Sequence, residues 1–268
     1  MAVGRNGSYP STVAVDLSTQ ADFLTDRGAY PVANLDTLIP ALRKIVAWAK
    51  WRCVPVVSSL NSHRPCELDR ERSGPHCIDG TNGQRKLVFT LMGTSVRVEG
   101  DNTLSVPIDL FRTYQQVIFR QRTKDLLSNP KADRFLTQVS TDRFILYGVA
   151  LETSVKALAL GLRARNRDVV VVRDGCGFWS AMEADLALRQ LEAKGVQLIT
   201  VEQLLRERLP RRVRYLALNH GGNGRGNGNG HDRGDARRVQ NGVFGRKGSN
   251  GRKRRATNGS RAKGRSRK

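Results

Sequence analysis

The 268 residues suffice for one large domain or two small ones, and their formal charge of +22 sets a polyanion as the natural partner. The charge is uneven: residues 219–268 hold 15 of the 46 Lys and Arg, only 2 of the 24 Asp and Glu, and 13 of the 26 Gly. The sequence excludes a membrane span, since no stretch is long and apolar enough.

The elements follow in chain order. Val13–Leu17 reads as an apolar strand, and Leu35–Trp51 as a helix with Leu38, Leu42, Ile45, Val46 and Ala49 at helical spacing. Its Trp48 and Trp51 are expected in the core. Val54–Ser58 and Gln116–Phe119 are the second and third strands, Ala132–Gln138 a short helix, and Arg143–Val149 the fourth strand. Glu152–Arg165 is helical, Val169–Val172 is the fifth strand, Met182–Lys194 a helix, Val196–Thr200 the sixth strand, and Val201–Arg208 a closing helix. Val- and Ile-rich strands alternating with helices predict an α/β fold: a three-layer α/β/α sandwich around a six-stranded, mostly parallel sheet. Sites in such sheets lie at the carboxyl ends of the strands. That rule gathers Ser18–Phe23, Ser59–His63, Arg120–Thr123 and Ala150–Ser154 around one crevice.

Past Asn219 the large apolar residues are almost confined to Val239, Val243 and Phe244, too few to offset the entropy of ordering. Residues 1–215 therefore read as one globular domain and 216–268 as a disordered basic Gly/Asn/Arg-rich tail. Its densest cations are Arg252, Lys253, Arg254 and Arg255, then Arg261, Lys263, Arg265, Arg267 and Lys268. Such runs bind nucleic acid by neutralising phosphates, RNA before DNA, with little base specificity because Phe244 is the one aromatic there. Cys53, Cys66, Cys77 and Cys176 show no CxxC spacing, and the start lacks a signal-peptide pattern. Free thiols in the cytoplasm are the expectation, or in the nucleus if the source is eukaryotic.

Five segments carry a resemblance. Ser18-Thr19-Gln20-Ala21-Asp22-Phe23 looks like D-x-Q-x-D-F, and Ser59-Leu60-Asn61-Ser62-His63 like S-x-D-x-H. Pro75-His76-Cys77-Ile78-Asp79-Gly80-Thr81 looks like P-H-C-x-x-G-T, and Gln121 to Asp125 with Asn129-Pro130 like a K-x-x-x-D segment. Gly148-Val149-Ala150 through Ser154-Val155 looks like G-V-A-x-x-x-C-V. In this order they resemble the isochorismatase-like cysteine hydrolases, Rossmann-like in fold, and their nicotinamidase branch.

The resemblance implies a cysteine nucleophile, an aspartate that takes its proton and a lysine that assists. Those positions are Ser154, Ser18 and Gln121. A hydroxyl is far less acidic than a thiol, and Ser18 supplies no base. The expectation is a non-catalytic member with a retained ligand pocket walled by Phe23, Val149 and Ala150, the last two in the dipeptide that the family holds cis. The alternative is an amide hydrolase with Ser154 as nucleophile and Asp16 as a displaced base. The implied metal positions are Asn61, His63 and His76, a set weakened for zinc or another divalent ion by the loss of a carboxylate. A small nicotinamide-like ligand and a homo-oligomer are the other implied partners.

Overall fold

The computed structural model describes residues 9–65, 74–101 and 103–207. The 215/216 boundary, the nine tail cations and Cys66 lie outside the described residues.

Strand β1 (Thr12–Leu17) shows how the sequence makes three layers. Its side chains alternate between two cores: Val13, Val15 and Leu17 join one, Ala14 the other. The first core takes Ala132, Phe135 and Leu136 of α3 (Pro130–Gln138), Leu158 and Leu162 of α4 (Lys156–Ala164), and Ala187 and Leu191 of α5 (Ala181–Ala193). The second takes Leu38, Leu42, Ile45 and Ala49 of α2 (Leu35–Trp51) and Leu204 of α6 (Val201–Arg206). A strand buried on both faces needs apolar residues at every position, which is why the strands read as continuous runs.

The sheet has seven strands, one more than the sequence suggested, in the order β3-β4-β2-β1-β5-β6-β7 with every pairing parallel. The remaining strands are β2 (Val56–Asn61), β3 (Ser95–Val98), β4 (Gln116–Gln121), β5 (Arg143–Val149), β6 (Asp168–Gly177) and β7 (Gln197–Ile199). The added one, β3, is an edge strand of four residues with half-exposed side chains, so it has no apolar run to announce it. Strand β6 runs five residues past the expected end at Val172, through charged Arg173 and Asp174, to a second registered stretch where Gly148 pairs with Cys176. Gly148 has φ +113°, and a Cβ there would lie 2.1 Å from the Leu17 carbonyl oxygen. Trp48 is buried as expected, but Trp51, at the end of α2, is 78% exposed.

Four central strands end at one crevice. Ser18 follows β1, Asn61 ends β2, Gln121 ends β4, and the chain after β5 turns into α4 through Leu151–Val155. Short α1 (Ala21–Leu24) leaves the same edge. Asn129 holds two elements together there: its Oδ1 accepts from the Lys131 and Ala132 N–H groups at the start of α3, and its Nδ2 donates to the Arg120 carbonyl at 2.7 Å.

Candidate active site

Ser18, Gln121 and Ser154 all lie at this crevice, all buried. Ser18 adopts φ 48°, and its N–H and hydroxyl both engage Ser59 Oγ, at 3.0 and 3.1 Å. Gln121 Nε2 donates to the Thr123 carbonyl at 2.6 Å and reaches Ser154 Oγ at 3.4 Å, while its Oε1 is buried without a partner. Ser154 rides a wide turn in which the Val155 N–H reaches back five residues to the Ala150 carbonyl, at 3.0 Å. The Val149–Ala150 peptide just before it is cis, as expected. Gln121 and Ser154 thus meet, whereas no hydrogen bond joins Ser18 to either.

Asp16 does not reach Ser154. Its Oδ2 lies 2.8 Å from Lys86 Nζ and accepts from the Thr19 and Ser58 hydroxyls, both at 3.1 Å. Lys86 comes from the segment that runs antiparallel beside Gln20, and it also donates to Thr19 Oγ1 at 2.7 Å. Asp16 sits inside the strand, level with Ser58 and Tyr147, two residues short of the crevice.

Neither nearby cysteine is a substitute nucleophile. Cys77 and Cys176 are buried, and burial pushes both thiols far above the usual range, with Asp22 adding to the effect at Cys77. The Cys176 Sγ donates to the Val172 carbonyl at 3.2 Å.

The three metal-site positions stand close by. The His63 and His76 rings are 5.0 Å apart between centroids. His76 Nδ1 lies 2.9 Å from the Gly74 carbonyl oxygen, a contact that holds the ring. Asn61 Oδ1 is buried without a hydrogen-bond partner. The Asn61 backbone is clamped by the Gln20 amide, which accepts from its N–H at 2.7 Å and donates to its carbonyl at 2.9 Å.

Other contributors gave no sequence signal of their own. Tyr30 and Trp179 stack at 4.3 Å between centroids, and both Phe23 and Tyr30 lie within 6 Å of His76, so an aromatic cluster packs around that histidine. Buried Glu152 accepts from the Trp179 backbone N–H at 2.7 Å and so ties this cluster to the Ser154 turn. Asp79 fixes the His63 strand end: its N–H donates to the His63 carbonyl at 2.8 Å, and its carboxylate accepts from Ser62 and Gln84 beside Arg122 and Arg120. Partial burial pushes that carboxyl up, but the Ser62 and Gln84 hydrogen bonds and the two guanidinium groups outweigh it and hold it below the usual range. A lone lysine or tryptophan in a basic chain marks no motif, which is why Lys86 and Trp179 escape sequence reading.

Residues 92–203 match the family model of the isochorismatase domain. That segment of the chain is similar to the isochorismatase domain. The fold of the chain is similar to that of a pyrazinamidase of Pyrococcus horikoshii crystallised with zinc, at 20% identity over 71% of this chain and 99% of that one, with a TM-score of 0.56. PnC1 from L. infantum in complex with nicotinate gives 16% identity, 73% and 95% coverage, and a TM-score of 0.57. The MAR1 ribonuclease from Caenorhabditis elegans gives 17% identity, 75% and 82% coverage, and a TM-score of 0.50. No curated protein matches the sequence.

The family match includes Gln121 and Ser154 and begins after Ser18, Asn61, His63 and His76. Among the described residues no three His, Cys, Asp or Glu gather as metal ligands. Two imidazoles and an unpartnered amide oxygen suit a divalent ion in kind, but they bring no negative charge to it.

Proposed function

We propose that this chain is a non-catalytic member of the nicotinamidase-like branch, which keeps a pocket for a small nicotinamide-like ligand and binds RNA through its basic tail. One observation carries the first part: the group 3.4 Å from the Ser154 hydroxyl is the Gln121 amide, a neutral group that neither takes the hydroxyl proton nor brings the charge of the lysine implied there. Ser18 is neutral and engaged with Ser59, and Asp16 is held by Lys86. A hydroxyl so placed accepts and donates hydrogen bonds but has no base to activate it.

What remains is suited to holding a flat, polar ring. Phe23, Tyr30 and Trp179 supply apolar faces, and Gln121 and Ser154 supply hydrogen bonds at the pocket floor. A zinc or similar ion held by His63, His76 and Asn61 would polarise a ligand nitrogen or oxygen. The nicotinate bound by the L. infantum protein is the kind of ligand this wall suits. The dense basic runs at Arg252–Arg255 and Arg261–Lys268 support a nucleic-acid partner for the tail.

Ammonia release from nicotinamide and a panel of small amides tests the first part. The expected rate is that of buffer alone, and turnover that Ser154→Ala abolishes would refute the reading. For the tail, salt-sensitive binding to an oligoribonucleotide is expected, and serine at the nine tail cations removes it. Unchanged binding in that variant overturns the tail reading.

A further inference from the structure

The solvent side of α2 is a second basic surface. Beyond Pro40 its exposed positions are Arg43, Lys44, Ala47, Lys50 and Trp51, with no carboxylate among them. Trp51 is open to solvent over 78% of its surface, with the Arg52 guanidinium 4.7 Å from its ring centroid. The Arg43 guanidinium covers the neighbouring Phe89 ring at 4.4 Å, and Lys50 Nζ donates to the Phe89 carbonyl at 3.1 Å. Among the described residues none of these four cations makes an ion pair with a carboxylate.

The surface continues along the helix. Lys44 also lines a cleft of about 420 Å³ between α2 and the β6 bend, opposite Arg173, which is likewise exposed and unpaired. The cleft also holds one carboxylate, Asp174, which accepts from the Val201 N–H at 2.8 Å. From Thr37 in the cleft to Trp51 is 14 residues of helix, about 21 Å at 1.5 Å per residue. Unpaired cations along a line with an open indole at its end offer phosphate neutralisation and base stacking together. A duplex hides its base faces, so the complementary partner is a single strand.

We infer that this face of the folded domain binds single-stranded RNA, with a base stacked on Trp51 and phosphates on Arg43, Lys44 and Lys50. The choice of RNA rests on the proposed function, whereas the surface is formed by described residues alone.

Tryptophan emission of the full chain, titrated with oligouridylate of about 15 nucleotides at low salt, tests this. Saturable quenching is expected, and heparin, a polyanion without bases, leaves emission unchanged. Trp51→Ala loses the quenching, keeps the emission of Trp48 and Trp179, and binds at least about fivefold more weakly. Oligouridylate that binds with no quenching, and equally well to Trp51→Ala, overturns this inference and leaves the tail as the sole site. Quenching that survives serine at the nine tail cations supports the inference while removing the tail reading. No binding by the full chain refutes both.

Discussion

Lys86 Nζ lies 2.8 Å from Asp16 Oδ2, and the two side chains are 2% and 0% exposed. This buried pair stands directly behind the crevice, where it joins β1 to the segment that packs against Gln20. Removing one partner of such a pair leaves an uncompensated charge and costs far more than the pair itself contributes. Lys86→Met is therefore expected to lower unfolding free energy by about 3–5 kcal/mol. Lys86→Met with Asp16→Asn regains most of that loss in denaturant titrations, because no charge is left unpaired.

The proposed absence of turnover predicts a defined repair. Ser154→Cys alone leaves ammonia release from nicotinamide at background, since no base takes the thiol proton. Ser18→Asp, Gln121→Lys and Ser154→Cys together raise it by about 100-fold or more, the range of a positioned general base. A single Ser154→Cys variant with that gain would show that another group already serves as base.

The proposed metal positions Asn61, His63 and His76 lack the negative charge of the carboxylate that the resemblance implies. Asn61→Asp supplies it where an unpartnered Asn61 Oδ1 now sits. Competition with a chromophoric chelator is expected to find zinc bound at least about tenfold more tightly in Asn61→Asp, the range over which even supporting groups act on metal affinity. Equal affinity would place the ion elsewhere.

Asp79 ties acid stability to the His63 strand end. A carboxyl lowered in the folded state adds stability above its unfolded value, near 3.8, and that contribution fades as pH falls through the lower folded value. At pH 7 Asp79→Asn is expected to melt below the unaltered chain. The gap narrows once the pH drops under about 4, and thermal melts across pH 2–7 follow it. A gap constant across that range would mean that the Ser62, Gln84 and arginine contacts do not favour the charged form.

The parallel sheet was legible because burial on both faces writes itself as unbroken apolar runs. Helix α2 and strand β5 have the bounds that periodicity gives them. Edge strand β3 carries no such run, and β6 hides its second half behind Arg173 and Asp174. The crevice was legible from strand ends alone, since Ser18, Asn61, Gln121 and Ser154 each follow or close one. The grip on Asp16 was not, because Lys86 reaches it from a loop 70 residues away, and only the tertiary fold brings the two together. Trp51 illustrates the opposite limit: helical spacing gives the face, but the open surface beside the last turn depends on what packs there.

The contact at Gly148 bears on how such a site changes over time. At the crevice end of β1 and β5 no side chain fits between Gly148 and the Leu17 carbonyl, so there the strands meet through main chain. Positions 121 and 154 lie outside that contact. A binding cleft framed in this way can lose its reactive groups one by one while its outline stays the same.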